Sequence, residues 1–139
     1  MAVQSASAKT SPVRILVVDD SELMRRSLRT LLEQREQWRV CSEAANGREA
    51  IEKAQQSSPD VIVLDFQMPE MNGLDAAKEI RRQSPWIPIL MVTLHMSPQL
   101  AQQAQTVGIR GACDKNDVGC VIDAVDTLLH HGTYYRNWH

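Results

Sequence analysis

Five short apolar runs alternate with amphipathic stretches along this chain, and that alternation restricts the fold more than any other feature. The runs that fit strands are 14–18, 38–44, 60–65, 87–93 and the weaker 109–114. The stretches between them place apolar residues at helical spacing, most clearly Val118, Val121, Ile122, Val125, Leu128 and Leu129. The order βαβαβαβαβα predicts an α/β fold, with a parallel sheet, right-handed crossovers and helices on both faces.

The length and composition predict one soluble domain. At 139 residues, 43% hydrophobic and 23% charged, the chain has room for a single ordinary domain. We interpret residues 1–12 as a flexible leader without the apolar segment of a secretion signal, 13–133 as the folded domain, and 134–139 as a tail or the start of a linker.

Charge and apolar content exclude two classes of partner. No run approaches the roughly 18–20 apolar residues of a membrane span. A net charge of −2 without a basic cluster argues against direct binding of nucleic acid by this chain. Cys41, Cys113 and Cys120 are an odd number, widely spaced and in apolar contexts, so we expect reduced core cysteines in a cytoplasmic protein.

Polar residues close four of the apolar runs. Asp19 and Asp20 follow the first run, Asp65 ends the third, Thr93 ends the fourth and Lys115 follows the fifth. The carboxyl ends of parallel strands meet at one edge of the sheet, where open α/β folds bind ligands. We therefore expect three carboxylates, a hydroxyl and an ammonium in one crevice.

This set of groups suits a divalent metal and a phosphoryl group. Mg²⁺ prefers oxygen ligands and would relieve the repulsion among the three carboxylates. Asp65, at the centre of the predicted sheet, is the candidate nucleophile, since carboxylates form aspartyl phosphates. Lys115 and Thr93 could then bind the oxygens of the phosphoryl group.

Four stretches in this order resemble the receiver domains of two-component response regulators, over residue 13 to about residue 133. They are Arg14-Ile-Leu-Val-Val-Asp-Asp-Ser21, Asp60-Val-Ile-Val-Leu-Asp-Phe-Gln-Met-Pro-Glu-Met-Asn-Gly-Leu74, Ile89-Leu-Met-Val-Thr93 and Gly108-Ile-Arg-Gly-Ala-Cys-Asp-Lys115. The resemblance implies a flavodoxin-like (βα)5 doubly wound sheet with strand order 2-1-3-4-5.

The resemblance also implies a role for each site residue. Asp65 would accept a phosphoryl group from a histidine kinase or phosphotransfer protein. Mg²⁺ would be held directly by Asp20, Asp65 and the backbone carbonyl of Gln67, and by Asp19 mainly through water. Thr93 and Lys115 would grip the phosphoryl group. Apart from its own phosphorylation and dephosphorylation the domain would not be an enzyme.

The sequence indicates less about how the domain would pass on its signal. The family usually has an aromatic residue three positions before the lysine, where this chain has Ala112. The chain could be a stand-alone regulator or the receiver part of a transcriptional regulator, with a homodimer formed on phosphorylation. Two alternatives are a pseudo-receiver that is not controlled by phosphate and, less favoured, a metal-dependent phosphohydrolase. The second alternative usually needs an Asp-x-Asp pair, whereas Asp19 and Asp20 are adjacent.

Overall fold

A five-stranded parallel sheet forms the centre of the molecule, in a computed structural model that describes residues 11–135. The strands are β1 (Val13–Val18), β2 (Trp38–Ala44), β3 (Val61–Asp65), β4 (Ile89–Thr93) and β5 (Gly111–Asp114). The helices are α1 (Glu22–Leu32), α2 (Gly47–Ser57), α3 (Gly73–Gln83), α4 (Pro98–Thr106) and α5 (Val118–Leu129). The spatial order β2-β1-β3-β4-β5 confirms the predicted fold class and strand order.

Helices cover both faces of the sheet. One core lies under α1 and α5 and contains Leu28, Leu32, Val121, Val125 and Leu128 with alternate residues of the strands. The other lies under α2, α3 and α4 and contains Ala50, Ala54, Ala77, Ile80 and Leu100 with the remaining strand residues. Strands β3 and β4 are buried along their whole length, so all their residues are apolar except the last ones, Asp65 and Thr93.

All five helices begin at the carboxyl edge of the sheet, each behind a polar cap. The caps are Ser21, Asn46, Asn72, Ser97 and Asp117, and each side chain accepts a hydrogen bond from the backbone N–H three residues on. Such caps satisfy amide groups that a helix start leaves without partners. They therefore fix the loops that surround the ends of the strands.

The prediction of three reduced cysteines is wrong for two of them. Cys113 and Cys120 form a disulfide, whereas Cys41 is free. The end of β5 and the first turn of α5 bring the two Cα atoms to 6.1 Å, within the range that a disulfide spans. The seven-residue separation is not a recognised motif, so the pairing could not be predicted from spacing.

The chain passes beside β5 again after α5. Tyr134 forms a parallel bridge with Gly111: its N–H donates to the carbonyl of Arg110, and its carbonyl accepts from Ala112 N–H. The hydroxyl of Tyr135 donates to the carbonyl of Ile109. The predicted leader, apart from Ser11 and Pro12, and residues 136–139 of the predicted tail lie outside the described residues. Within residues 11–135, none of the helices has the length and apolar character needed to cross a membrane.

Candidate functional site

An ion-paired cluster occupies the carboxyl edge of the sheet, where β1, β3 and β5 end. Lys115 Nζ lies 2.7 Å from Asp19 Oδ2 and 3.2 Å from Asp65 Oδ1. Both aspartates are buried, and the lysine side chain is only 10% exposed. The structure thus brings together three of the residues that the sequence predicts for the site, with one ammonium shared by two carboxylates.

Asp19, Asp20 and Asp65 also form a potential metal site. Each offers a carboxylate oxygen, and these oxygens all lie within 4.8 Å of one another. Asp20 is exposed at the rim, while the other two carboxylates lie deeper. Asp19 Oδ2 is buried, and its partner is the Lys115 ammonium at 2.7 Å. Three neighbouring carboxylates carry more negative charge than one ammonium offsets, so the cluster fits a site that a cation completes.

Burial and charge shift the protonation of this cluster. Burial, together with the negative charge of Asp19, raises the pKa of Asp65 from 3.8 to about 6, although Lys115 opposes the shift. For Lys115, burial pulls the pKa down, but its ion pairs with Asp19 and Asp65 outweigh that and raise it. Lys115 therefore stays charged, and the carboxylates carry negative charge that their surroundings do not fully neutralise.

Thr93, the last residue of β4, and Gln67, in the loop after β3, border the cluster. Thr93 is buried at the end of β4, where its carbonyl accepts a 3.0 Å hydrogen bond from Lys115 N–H. Its hydroxyl oxygen accepts from the backbone N–H of His95 at 3.4 Å. Gln67 is exposed, and its N–H donates to Asp65 Oδ1 at 3.3 Å. All six residues predicted for the site therefore lie on the strand ends or the first loop residues of one edge.

Two further residues support the site and were not assigned a role from the sequence. Arg25 Nη1 donates a 2.7 Å hydrogen bond to the backbone carbonyl of Asp19. Gly73 packs so closely on the end of β3 that a Cβ there would lie 2.5 Å from the carbonyl oxygen of Asp65. Arg25 lies one helical turn after the Ser21 cap, a position from which a side chain can turn back to β1. The amino-acid sequence around Arg25 does not by itself indicate that contact.

Comparison with known proteins identifies the family. Residues 15–125 match the family described as the response regulator receiver domain. The chain belongs to this family. It is a receiver domain of two-component response regulators. Domains of this class interact with histidine kinases or phosphotransfer proteins and act as phosphorylation switches.

Two curated relatives show different contexts for such a receiver. One is a protein-glutamate methylesterase/protein-glutamine glutaminase of Alkalilimnicola ehrlichii, 52% identical over 79 residues, which cover 57% of this chain and 20% of the relative. Another is the transcriptional regulatory protein LnrK of Bacillus subtilis, 34% identical over 121 residues, which cover 86% of this chain and 54% of the relative. The chain thus spans about a fifth to half of the length of these relatives.

Solved structures support the same assignment. A two-component response regulator of the LuxR family from Aurantimonas sp. SI85-9A1 superposes with a TM-score of 0.86 at 30% identity, covering 89% of each chain. The response regulator domain of Thermotoga maritima CheB gives a TM-score of 0.77 at 29% identity, covering 87% of this chain and 96% of that one. The receiver is not itself a catalytic domain. The methylesterase relatives are named as enzymes, but this chain matches only about a fifth of the length of the one from Alkalilimnicola ehrlichii.

Proposed function

We propose that this receiver accepts a phosphoryl group on Asp65 and relays it as a conformational change. The observation that carries the proposal is the buried Asp65 carboxylate beside Asp19, with the Lys115 ammonium within 3.2 Å of both and the acidic Asp20 at the rim. Phosphoryl transfer depends on positioning and on charge neutralisation more than on acid–base groups. The cluster supplies both around one carboxylate.

The acidic cluster suits Mg²⁺. Its donors are the carboxylate oxygens of three aspartates, whose negative charge the single Lys115 ammonium offsets only in part. In this proposal Asp20, Asp65 and the backbone carbonyl of Gln67 hold the ion, with Asp19 acting mainly through water. When bound, Mg²⁺ would offset negative charge on the carboxylates and on phosphoryl oxygens.

The protein's own residues have distinct roles in this scheme. Asp65 attacks phosphorus, its carboxylate oxygen forming the new P–O bond while the bond from phosphorus to the donor's histidine nitrogen breaks. Lys115, already held between two carboxylates, neutralises a phosphoryl oxygen. Thr93 offers its hydroxyl as a hydrogen-bond donor from the neighbouring strand, and its movement towards the phosphoryl group would begin the conformational change.

The wider setting of the domain is also part of the proposal. We assign residues 13–133 to the receiver, 1–12 to a leader and 134–139 to a tail or linker, in a cytoplasmic protein. The phosphoryl donor is a histidine kinase or phosphotransfer protein, and phosphorylation favours a homodimer. The protein works either as a stand-alone regulator or as the receiver of a transcriptional regulator. The coding sequence on both sides of residues 1–139 distinguishes these two outputs.

Phosphorylation of Asp65 can be tested directly. The protein is incubated with Mg²⁺ and acetyl phosphate, or with a cognate kinase, and the intact mass is measured. We expect the gain of one phosphoryl group, sensitive to hydroxylamine as an acyl phosphate is, lost in Asp65→Asn and retained in the exposed control Asp75→Asn. Chelation of the metal should prevent the gain in the wild type.

Two outcomes contradict the proposal. If neither donor labels the wild type, the chain is not a phosphate acceptor and behaves as a pseudo-receiver. If Asp65→Asn is labelled as well as the wild type, the acceptor lies elsewhere. Turnover of p-nitrophenyl phosphate would instead indicate a phosphohydrolase.

A further inference from the structure

The Cys113–Cys120 disulfide encloses the segment that carries Lys115. Cys113 is a fully buried residue of β5, and Lys115 follows it by two positions, directly after the end of the strand. Cys120 lies in the first turn of α5 and is partly exposed. Cys113 belongs to the core under α1 and α5, and Cys120 packs against that core while part of the residue stays exposed.

The enclosed segment is short and is also held by hydrogen bonds and ion pairs. Lys115 Nζ is paired with Asp19 and Asp65, and Asn116 N–H donates to Asp114 Oδ1 at 2.8 Å. Lys115 N–H donates to the carbonyl of Thr93 at 3.0 Å, and Asp117 N–H donates to the carbonyl of Asp114 at 3.0 Å. Asn116 and Asp117 are exposed. The disulfide is a covalent tie between the strand before this turn and the helix after it, so it restricts how far the Lys115 backbone can move.

We propose that Cys113 and Cys120 form a thiol-reactive redox site that controls how firmly Lys115 is positioned. This inference rests on the proposed function of Lys115 in phosphoryl transfer. A disulfide in a reducing compartment is usually transient and redox-sensing rather than structural. The oxidised form holds the Lys115 segment rigid, and the reduced form releases it.

Low-molecular-weight dithiols are the chemical class that would act on this site. One thiolate of the dithiol attacks the sulfur of Cys120, the less buried of the two residues, and the Cys113 thiolate leaves and takes up a proton. The second thiolate of the dithiol then displaces the Cys120 thiolate, which is protonated in turn. The products are two protein thiols and one cyclic disulfide, so two electrons and two protons pass to the protein. Oxidised dithiols reverse the reaction.

The size of the effect follows from the mobility of one long side chain. Immobilising a side chain with many rotamers has a free-energy cost that corresponds to about a two- to tenfold change in rate. The ion pairs with Asp19 and Asp65 restrain the Lys115 side chain in both forms, and the disulfide adds a restraint on its backbone before the phosphoryl donor binds. We expect the initial rate of Mg²⁺-dependent phosphorylation by acetyl phosphate to fall about two- to tenfold on reduction.

Thiol titration tests the site without reference to phosphorylation. The background variant is Cys41→Ser, which removes the free cysteine and keeps a donor to the Ile15 carbonyl that Cys41 Sγ contacts at 3.5 Å. We expect no titratable thiol in the unfolded oxidised protein and two after treatment with dithiothreitol. Amide hydrogen exchange of residues 114–119 should be faster in the reduced form. Two thiols in air-oxidised protein, or equal exchange in both forms, would overturn the proposal.

Phosphorylation rates then test the coupling to Lys115. In Cys41→Ser, dithiothreitol should slow labelling, while Cys120→Ser in the same background should label at the slower rate with and without reductant. Equal rates for all forms would show that the disulfide does not position Lys115. If no form is labelled but hydrogen exchange still responds to reduction, the redox site stands and the proposed phosphorylation of Asp65 fails.

Discussion

The guanidinium of Arg25 ties helix α1 to the end of β1, because its Nη1 donates a 2.7 Å hydrogen bond to the backbone carbonyl of Asp19. The Nε of the same side chain donates to Glu43 of β2 at 3.0 Å. Arg29, one turn further along α1, also binds Glu43, at 2.6 Å. A network of two arginines and one carboxylate therefore supports the backbone that carries the acidic cluster.

Removal of Arg25 should destabilise the fold more than removal of its neighbour Arg26. Arg25→Ala leaves a backbone carbonyl and part of Glu43 without a charged donor, and we expect the free energy of unfolding to fall by about 1–3 kcal/mol. Arg26 pairs with Glu22, and both side chains are more than two-thirds exposed. Arg26→Ala should therefore change the free energy of unfolding by less than about 1 kcal/mol. Urea denaturation of both variants measures the difference. Equal losses would contradict this role of Arg25.

Glu43 makes part of the stability depend on pH. The hydrogen bond from Arg29 lowers the pKa of Glu43 below its ordinary 4.5; burial opposes the shift, and Arg25 adds to it. A carboxyl with a lower pKa in the folded state binds fewer protons there than in the unfolded chain. It therefore stabilises the fold above pH 4.5, and that contribution is lost as the pH falls through the folded-state pKa.

The pH dependence can be isolated with Glu43→Gln. We expect the wild type to be more stable than this variant at neutral pH, and the difference to shrink steadily once the pH falls below about 4.5. Denaturation curves at several pH values measure it, with the exposed Glu52→Gln as the matched control. A difference that stays constant down to the acid transition would show that Glu43 is not held as a paired carboxylate.

Asp65 should lower the stability of the metal-free protein. Burial and the nearby Asp19 raise its pKa to about 6, so its ionised form is unfavourable at pH 7 in the folded state. Asp65→Asn removes that charge, and we expect a gain of about 1–3 kcal/mol in unfolding free energy in the presence of a chelator. Mg²⁺ at 100 times its Kd would stabilise the wild type by about 2.7 kcal/mol and should affect the variant little. Thermal denaturation with and without Mg²⁺ measures both effects.

The strand order and the position of the site could be predicted because both follow from short-range patterns. Strands buried on two faces are continuous apolar runs, and the first polar residue after each run marks the carboxyl edge. This reasoning placed Asp65 and Thr93 correctly at the ends of β3 and β4. It was less accurate for the first residue of a strand, since the predicted fourth and fifth strands began at residues 87 and 109, whereas β4 and β5 begin at Ile89 and Gly111.

Side-chain contacts between consecutive elements could not be predicted in the same way, even where the two residues are six or seven positions apart. The hydrogen bond of Arg25 to Asp19 depends on how α1 crosses the sheet, and arginines are common on exposed helix faces. The disulfide depends on the turn between β5 and α5, which brings Cys113 and Cys120 together at a spacing that is not a known motif. Both contacts depend on the angle at which a strand turns into the next helix, which the composition of a segment does not encode.

Replacement of Gly73 by alanine should destabilise the protein, whereas replacement of Gly119 should not. A Cβ at Gly73 would lie 2.5 Å from the Asp65 carbonyl oxygen and 2.9 Å from the Cα of Phe66, both of them backbone atoms that cannot turn aside. Gly73→Ala should therefore push the loop after β3 away, lower the unfolding free energy by about 1–3 kcal/mol and slow the phosphorylation of Asp65.

Gly119 provides the matched control for this effect. It lies inside α5, and the nearest atom to a Cβ there is Asp117 Oδ1 at 3.8 Å, an ordinary contact distance. Gly119→Ala should stabilise the helix by about 0.5–1 kcal/mol, since alanine has the higher helix propensity. Chemical denaturation measures the unfolding free energy of both variants, and labelling with acetyl phosphate measures their rate of phosphorylation. If Gly73→Ala kept wild-type stability and labelling, the close approach of α3 to Asp65 would not constrain the site.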